Sequence, residues 1–533
     1  MRRILISFAL LLGACLDAHA ALDAALVKPL GGEDADARVE AIVKLGALAS
    51  PEAFAILNAL NEQRLYVEPS GRVLVLDEDD RASDPLTGDK LDLPEDAESI
   101  TVNNRLRREL ESALAGLRLF STDPKVRLRA AQELQQNAGP AQLPLLAKAL
   151  GKETDPTVRD LLGMAVATVN LKSEDATKRR QAVETLADTT NASVRPVLAA
   201  MIAPRQDGTF AEPDAGVRAA VVDTLARIDR HLLIVEWAGN LFYGVSLASV
   251  LLLAALGLAI TFGLMGIINM AHGELLMVGA YSTYVVQLAF RRWFPAQIDW
   301  YVVAAVPTAF LIAAGVGMIL ERTVIRWLYG RPLETLLATW GISLVLMQTV
   351  RTLFGAQNVE VANPSWMSGG VSVLGGLVLT YNRIVIIGFA IFVVVIVWAL
   401  LNKTRLGLFV RAVTQNRRMA DCVGVPTGRV DMLTFGLGSG IAGLGGVALS
   451  QLGNVGPDLG QSYIVDSFMV VVLGGVGQLA GTVIAAFGLG ELNKVLEPYA
   501  GAVLGKIAIL VLIVLFIQKR PQGLFALKGR SAD

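Results

Sequence analysis

Residues 262–274 have the sequence Phe262-Gly263-Leu264-Met265-Gly266-Ile267-Ile268-Asn269-Met270-Ala271-His272-Gly273-Glu274. They lie within an apolar stretch, 237–290, in which Glu274 is the only ionised residue. This stretch is longer than the roughly 40 residues that two membrane spans require. A glycine-broken, polar segment at membrane depth must be buried in protein or line a cavity, because lipid cannot pair its backbone groups. The stretch therefore predicts two spans with a buried, irregular segment at 262–274.

Further apolar segments follow along the chain, and each is long enough to cross a bilayer. They lie at about 300–320, 334–352, 382–402, 430–450, 464–480, 481–497 and 502–518. Together with the first two they predict about nine spans, with eight to ten possible, although 464–497 could instead hold a re-entrant pair. The predicted fold class is all-α, with a polytopic transmembrane helical domain over 233–520 and a cytoplasmic tail over 521–533.

Charge divides the 533-residue chain into two parts, although its net charge is only -1. Residues 1–232 carry 28 Lys/Arg and 35 Asp/Glu, whereas residues 233–533 carry 19 and 13. The first composition suits a soluble domain and the second suits a chain in lipid. A single soluble globule, a disordered chain and a nucleic-acid binder are therefore excluded, and the membrane part has no basic stripe that could follow phosphates.

The basic residues of the membrane part gather in three segments, which hold 13 of its 19 Lys and Arg. These segments are 321–333, 403–429 and the tail from Lys519 onward. Positively charged segments stay on the cytoplasmic side of a membrane. The pattern therefore predicts a multi-pass protein of the bacterial inner membrane, with its N-terminal domain in the periplasm and its C-terminus in the cytoplasm.

The first 20 residues have the features of an export signal. Arg2 and Arg3 precede a short apolar run at 4–12, and Ala18-His19-Ala20 is a typical cleavage site. The alternative is that Leu12-Gly13-Ala14-Cys15 is a lipobox and that Cys15 is lipidated. Both interpretations place the following domain outside the cytoplasm.

Residues 21–232 form the predicted periplasmic domain, which contains an internal repeat. Asp123-Pro124-Lys125-Val126-Arg127 matches Asp155-Pro156-Thr157-Val158-Arg159, and a related sequence occurs at 213–218. Each copy begins with an Asp that can cap a helix, and the first two place a Pro in its first turn. The pattern resembles HEAT-like helical repeats, whose usual role is interaction.

An acidic insertion at 61–104 interrupts this array, and the alternation around Pro69-Ser70-Gly71 predicts a small β-hairpin within it. The acidic loop that follows suits a solvated surface, or alternatively a docking surface for a partner.

Residues for metal or nucleotide chemistry are scarce. The three histidines are not at metal-ligand spacing, and Cys15 and Cys422 lie in regions that cannot meet. Gly438-Ser439-Gly440-Ile441-Ala442-Gly443 matches a dinucleotide motif but lies inside an apolar span, and the Gly-Lys within 501–507 lacks the P-loop spacing. We therefore expect no metal, no cofactor and no enzymatic activity.

Four ordered elements carry a resemblance to a known family. They are the segment 261–274, a basic motif that runs from Thr404-Arg405-Leu406-Gly407 to Gly424-Val425, Gly474-Gly475-Val476-Gly477 with Gly481, and Arg520-Pro521-Gln522-Gly523-Leu524-Phe525. Over about 240–528 the chain resembles the permeases of branched-chain-amino-acid-type ABC importers, whose signature is Asn-Phe-Ala-His-Gly-Glu. Met270 stands where that signature has Phe.

Within that family the chain looks most similar to the permease of urea importers, because of its exported extension and the segment Asn363-Pro364-Ser365-Trp366-Met367-Ser368-Gly369-Gly370. The resemblance implies two ABC ATPase subunits, a second homologous permease subunit and a periplasmic substrate-binding protein as partners, besides membrane lipid. The alternatives are a branched-chain amino acid or short amide permease and, more remotely, a membrane receptor with an extracytoplasmic helical sensor domain.

Polar residues in the spans are candidates for the translocation path or gate, because polar groups at membrane depth are costly. We expect Glu274 at or near the cytoplasmic end, where it could be structural, shape the gate or contact substrate. A neutral amide needs hydrogen-bond donors and acceptors, or the same groups could join helices. The candidates are Asn269, His272, Glu274, Thr339, Ser343, Gln348 and Asp466.

The basic segment 403–429 is the candidate ATPase coupling loop, and 416–422 could form a short helix within it. The resemblance implies that such a helix docks in a cleft of the ATPase subunit; the alternative is a loop that is basic only because it faces the cytoplasm. The coupling candidates are Arg405, Arg411, Ala412, Asn416, Arg417, Ala420 and Gly424.

Overall fold

The computed structural model describes residues 23–525 except 33, 49, 78–80, 88, 95, 189–191, 206–208 and 375. The predicted signal segment 1–20, Cys15 and the tail beyond residue 525 lie outside the described residues. The chain divides into two compact units after Leu232. Each unit is described by itself below.

The first unit consists mainly of short helices packed around three apolar clusters. Asp123 and Asp155 accept hydrogen bonds from backbone N–H groups at the starts of two helices, and a Pro follows each in the first turn. This capping is what the repeated Asp-Pro motif predicts. The helices are α1 (Ala24–Val27), α2 (Ala35–Leu48), α3 (Pro51–Asn61), α4 (Asn104–Arg118), α5 (Pro124–Asn137), α6 (Leu143–Lys152), α7 (Pro156–Asn170), α8 (Ala176–Thr185), α9 (Val194–Met201) and α10 (Ala215–Met265), which begins in this unit and continues into the second.

The insertion contains more β-structure than expected, because the sequence predicts an all-α fold with only one small β-hairpin. β1 (Leu65–Val67) and β2 (Val73–Leu76) form the predicted hairpin, with Leu65 opposite Val75. β3 (Ala82–Ser83), β4 (Lys90–Leu91) and β5 (Glu98–Ser99) extend it to a sheet with the order β4-β3-β2-β1-β5. These added strands have two residues each, which is too short for an alternating pattern to predict.

The second unit contains the remaining helices and one further hairpin. The hairpin pairs β6 (Gly370–Val373) with β7 (Leu377–Thr380) in antiparallel register, between the predicted spans 334–352 and 382–402, where the sequence indicates no strand. The helices are α11 (His272–Trp293), α12 (Tyr301–Thr323), α13 (Pro332–Phe354), α14 (Tyr381–Lys403), α15 (Arg405–Gln415), α16 (Arg417–Cys422), α17 (Thr427–Ser450), α18 (Leu459–Gly474) and α19 (Leu479–Lys519).

Within the described residues, six helices are long and apolar enough to cross a membrane, so the nine predicted spans are not confirmed. Three features account for the difference between nine predicted spans and six such helices. α11 begins with His272 and Glu274, which lower its hydropathy, and α18 has only 16 residues. Gly501, with φ +75°, interrupts α19, where the sequence predicts two spans. The six are 215–263, 295–327, 332–354, 381–403, 427–450 and 479–519.

Close glycine contacts bring α11 and α17 together at the centre of the unit. A Cβ on Gly279 of α11 would collide with the carbonyl of Gly443 in α17. A Cβ on Gly446 would likewise collide with the carbonyl of Leu276. The apolar stretches of α10 and α17 are mostly buried, whereas those of α13, α14 and α19 are mostly exposed. The central helices therefore face protein, and the outer helices present the apolar surface that lipid would cover.

The last described residues fold back onto the end of α18. The Leu524 N–H donates to the carbonyl of Leu473 over 2.9 Å. Gly475 and Gly523 have positive φ values of +99° and +76° and lie against each other. A side chain at either position would be strained and would also meet backbone. Two of the four sequence elements quoted above are thus in direct contact.

Candidate functional site

The irregular segment between α10 and α11 holds a cluster of buried polar side chains. α10 ends at Met265, Gly266 has a φ of +69°, and α11 begins at His272. The positive φ turns the chain out of the helix, and glycine adopts it without strain. The structure thus contains the helix break that the glycine-broken sequence predicts.

Asn269 is fully buried within this break. Its Oδ1 accepts from the Ala271 N–H over 3.0 Å, whereas its Nδ2 has no partner among the described residues. The neighbouring Met270 N–H donates to the Thr339 hydroxyl of α13 over 3.1 Å. The break is therefore held by α13, and an amide donor is left free inside it.

His272, also fully buried, connects the start of α11 to the C-terminal part of α10. Its Nε2 lies 2.9 Å from the carbonyl of Ala254. Because a carbonyl only accepts, Nε2 must carry the proton, and Nδ1 of a neutral ring is then an acceptor. Within the described part of the chain, Nδ1 has no partner.

Glu274 is 1% exposed and has one hydrogen-bonding partner. Its Oε1 accepts from the Ser343 hydroxyl over 2.9 Å, and its Oε2 is unpaired among the residues described. A buried carboxylate oxygen without a donor is costly. It is therefore available to an N–H donor that enters the cluster.

The depth of this cluster corrects the expectation that Glu274 lies at or near the cytoplasmic end. His272 contacts Ala254, which precedes the end of α10 at Met265 by 11 residues. At 1.5 Å per residue, this separation is about 16 Å of helix. The chain turns back after Met265, so Glu274 lies deep within the helices and not at their end.

Thr339 and Ser343 share the buried face of α13, but Gln348 does not. The Gln348 side chain is exposed, because it follows Ser343 by five positions and not by the four or seven that keep residues on one face. In a regular helix the sequence predicts that Thr339, Ser343 and the more distant Gln348 roughly share one face, and this prediction is wrong for Gln348.

Asp466 lies in a different pocket, with a volume of about 390 Å³. Its Oδ2 lies 2.9 Å from Nζ of Lys506, and Arg383, Lys494 and Glu497 also line the pocket. The side chain therefore belongs to a charged cavity beside the middle of α18 and has no contact with Glu274.

Sequence reasoning missed a further polar group near the end of α11. Gln287 Nε2 and the Tyr301 hydroxyl both donate to the carbonyl of Ala362, and the Tyr301 hydroxyl also lies 3.2 Å from Gln451. All three side chains are buried. Gln287 and Gln451 could have been found as uncharged polar residues at the margins of predicted spans.

The basic segment forms two helices, α15 and α16, as its composition permits. Asn416 caps α16 by accepting from the Met419 N–H over 2.9 Å, and Gly424 ends it with a φ of +87°. Arg417 pairs with the buried Asp431 of α17, and its guanidinium lies 4.6 Å from the Tyr329 ring centroid. Arg417 therefore fixes α16 to α17.

The remaining coupling candidates differ in exposure. Arg405, Arg411, Asn416 and Gly424 are exposed, Ala412 is half-buried and Ala420 is buried. Two apolar side chains beside them, which the basic pattern does not reveal, are also exposed: Met419 is 61% exposed and Val423 is 72% exposed. Exposed apolar side chains next to basic ones suit a protein contact better than a merely solvated loop.

Comparison with known proteins covers this second unit. The family model for the permease component of branched-chain amino acid transport systems matches residues 240–517. The high-affinity branched-chain amino acid permease protein LivH of Salmonella typhimurium is 28% identical over 292 residues, which cover 54% of this chain and 94% of LivH. BraD of Pseudomonas aeruginosa, described in the same terms, is 27% identical over 304 residues, covering 55% and 96%.

A more distant similarity joins a shorter part of the chain to a sugar permease. The ribose import permease protein RbsC of Bacillus subtilis is 35% identical over 107 residues, which cover 19% of this chain and 33% of RbsC. No solved structure matches the chain significantly. The family match does not include residues 1–239.

Proposed function

The chain belongs to the permease components of branched-chain amino acid transport systems, and on that premise we propose that it is the subunit through which an ABC importer moves urea. Permeases of this family are multi-pass inner-membrane proteins that work with ATPase and binding-protein partners. Our proposal for this chain adds two ATPase subunits, a second homologous permease, a periplasmic first unit and a cytoplasmic C-terminus.

The observation that carries the substrate proposal is the set of unpaired polar atoms around the helix break. They are Nδ2 of Asn269, Nδ1 of His272 and Oε2 of Glu274. Urea offers one carbonyl acceptor and four N–H donors, and can therefore bond to each of these kinds of atom. A substrate carboxylate would lie beside a buried acid without a cation partner among the described contacts, in surroundings that disfavour a negative charge.

Branched-chain amino acids are the second candidate, because LivH and BraD are named for them. The start of α11 could favour their carboxylate, since helix N-termini attract negative charge. Urea is neutral, whereas an amino acid brings a charged carboxylate to the site. One transport experiment therefore distinguishes the two substrates.

The test is uptake by the chain reconstituted into liposomes with its ATPases, second permease and binding protein. We expect ATP-dependent accumulation of labelled urea and little accumulation of leucine. Uptake of leucine without urea would overturn the substrate, and uptake of neither would contradict the importer itself. A catalytically dead ATPase is the control for leak.

We propose that the ATPase subunits bind α15 and α16, and that these helices transmit the closing movement of the ATPases to the permease. Their exposed basic and apolar side chains support this, and so does the link from Arg417 to Asp431, which joins α16 to the central helix α17. ATP hydrolysis belongs to the partners in this proposal, and movement of α16 would reach the cluster through α17.

A further inference from the structure

The helices α11 and α13 contact each other at two levels along a line that we call the seam. At the first level, the Ser343 hydroxyl of α13 donates to Glu274 of α11 over 2.9 Å. At the second level, the ring centroids of Tyr281 and Phe354 lie 4.9 Å apart. Tyr281 follows Glu274 by seven residues, and Phe354 follows its own helix partner Ser343 by eleven. Both spacings return to the same helix face, so the aromatic pair lies on the seam about 10 Å further along α11 and about 16 Å further along α13.

The Tyr281 hydroxyl is a buried polar group that packing does not explain. The side chain is 3% exposed, and among the described residues its hydroxyl has no hydrogen-bonding partner. Such a group costs free energy, whereas phenylalanine would fill the same space without that cost. Oε2 of Glu274 is unpaired in the same way. The seam therefore carries one unpaired polar atom at each level, and a neutral amide can bond to both in turn.

Residues 355–362, which we call the strap, follow α13 directly and so continue from the aromatic pair. Val359 of the strap and Val455, which follows α17, exchange two backbone hydrogen bonds of 2.9 Å. α17 has 24 residues and begins shortly after the coupling helix α16. A helix of that length is about 36 Å long, so the strap lies at the end of the unit opposite α16. α17 thus connects the coupling helix to the bridge between the two valines.

Hydrogen bonds also fasten the far end of the strap to α11 and α12. The carbonyl of Ala362 accepts from Nε2 of Gln287 at 3.1 Å and from the Tyr301 hydroxyl at 2.7 Å. Among the residues that the structure describes, Oε1 of Gln287 has no partner. Just beyond the strap, the Asp299 carboxylate accepts from the N–H and the hydroxyl of Ser365, which belongs to the segment singled out in the sequence. Single hydrogen bonds are modest in net free energy, so a few of them can hold the strap and still release it.

We propose that the strap is a gate over the seam, and that the Tyr281 hydroxyl is the polar group that a substrate meets beneath it on the way to Glu274. When Val359 separates from Val455, the seam opens at the end opposite the coupling helices. When the two valines pair, the strap and the aromatic pair shield the buried polar atoms. This inference rests on the proposed function, because it takes the seam as the transport route.

The first experiment locks the strap with a disulfide. Val359→Cys and Val455→Cys are introduced together into the Cys422→Ala chain. Residues that exchange two antiparallel hydrogen bonds have Cα atoms about 5.5 Å apart, which a disulfide can span. In the reconstituted importer, oxidation should lower urea uptake tenfold or more, and reduction should restore it. Ser372→Cys with Val378→Cys, an opposed pair within the hairpin of β6 and β7, is the matched control and should keep its uptake after oxidation.

The second experiment removes only the hydroxyl of Tyr281. Tyr281→Phe should raise the KM for urea uptake fivefold or more, while the thermal unfolding midpoint stays the same or rises, because the hydroxyl has no partner to lose. Tyr284→Phe is the matched control and should change KM less than twofold. The Tyr284 ring also lies near Phe354, with centroids 6.3 Å apart, but its side chain is only half-buried. A merely structural role would lower the midpoint and leave KM unchanged.

Complete cross-linking with undiminished uptake would overturn the gate, and failure of the two cysteines to cross-link would contradict the bridge itself. An unchanged KM in Tyr281→Phe would remove the hydroxyl from the route. Absent uptake by wild type would instead reject the proposed function, and the gate is then tested by labelling. A small maleimide should label Tyr281→Cys, in the Cys422→Ala chain, faster during ATP hydrolysis than without ATP. Equal labelling in the two states would overturn the inference.

Discussion

Glu274 is buried in the membrane unit with one hydrogen bond to Ser343 and one unpaired carboxylate oxygen. The sequence identifies it as the one ionised residue of a long apolar stretch. Only the structure reveals that Asn269 and His272 leave unpaired atoms in the same helix break. A buried acid with this surplus capacity is typical of a functional position in membrane proteins.

Glu274→Gln should separate transport from folding. Glutamine keeps an oxygen for the Ser343 hydroxyl but replaces the second acceptor with a donor, which would oppose the N–H groups of urea. We expect uptake to fall tenfold or more while the thermal unfolding midpoint changes by only a few degrees. Parallel uptake and unfolding measurements provide the check.

Gln348→Ala is the control for that experiment, because Gln348 lies on the same unit but is exposed on α13. Its uptake should match wild type. Wild-type uptake by Glu274→Gln would reject a role in translocation, and a large loss of stability would assign Glu274 to the architecture instead.

Helix packing in the membrane unit depends on glycines at the contact of α11 with α17. Gly279 lies against the backbone of Gly443, so that the two helices approach more closely than side chains would permit. By contrast, Gly388 of α14 has open space around its Cβ position. The same residue type therefore has different roles in two helices of one unit.

Gly279→Ala should destabilise the protein by about 1–3 kcal/mol, the usual cost of overpacking a close contact. Gly388→Ala should be neutral or slightly stabilising, because alanine is the better helix former. Thermal unfolding in one detergent measures both variants. Equal midpoints for the two variants would contradict the packing argument.

The coupling helices α15 and α16 present a mixed basic and apolar surface. The double substitution Met419→Asp and Val423→Asp should weaken binding of the ATPase subunits tenfold or more, because both native side chains are exposed and apolar. Co-purification and ATPase stimulation in the assembled transporter measure this effect. Arg418→Gln, on the same helix, is the control for a general loss of charge.

Three exposed residues of the candidate coupling loop predict a different defect. Replacing Arg411, Asn416 and Gly424 should leave the subunits assembled but uncouple ATP hydrolysis from uptake, since these exposed residues define the shape of the loop. Normal coupling in that triple variant would remove the docking proposal.

At the scale of the whole molecule, charge is sorted along the chain between two compact units. The first 232 residues are acidic overall, and the basic residues of the rest concentrate in three segments. The near-zero net charge is therefore the sum of two opposite compositions. It carries no information about function, whereas its distribution predicts orientation.

Cys422 is exposed in α16 and can report this orientation. A membrane-impermeant maleimide should label it in inside-out vesicles and leave it unlabelled in right-side-out vesicles. Cys422→Ala is the control for labelling at other positions. Labelling from the outer side would invert the predicted topology, and with it the assignment of α15 and α16 to the ATPase.

The sequence by itself determined the two-part organisation, the helix break at 266–271, the capped helices of the array and the membrane family. These features depend on local properties: hydropathy, charge, and Asp, Pro and Gly at defined positions. Tertiary structure decided the depth of Glu274, the exposure of Gln348 and the pairing of Arg417 with Asp431. Each of these features depends on where the chain reverses direction and on which helices pack against each other. The order of residues within a single segment does not determine such packing.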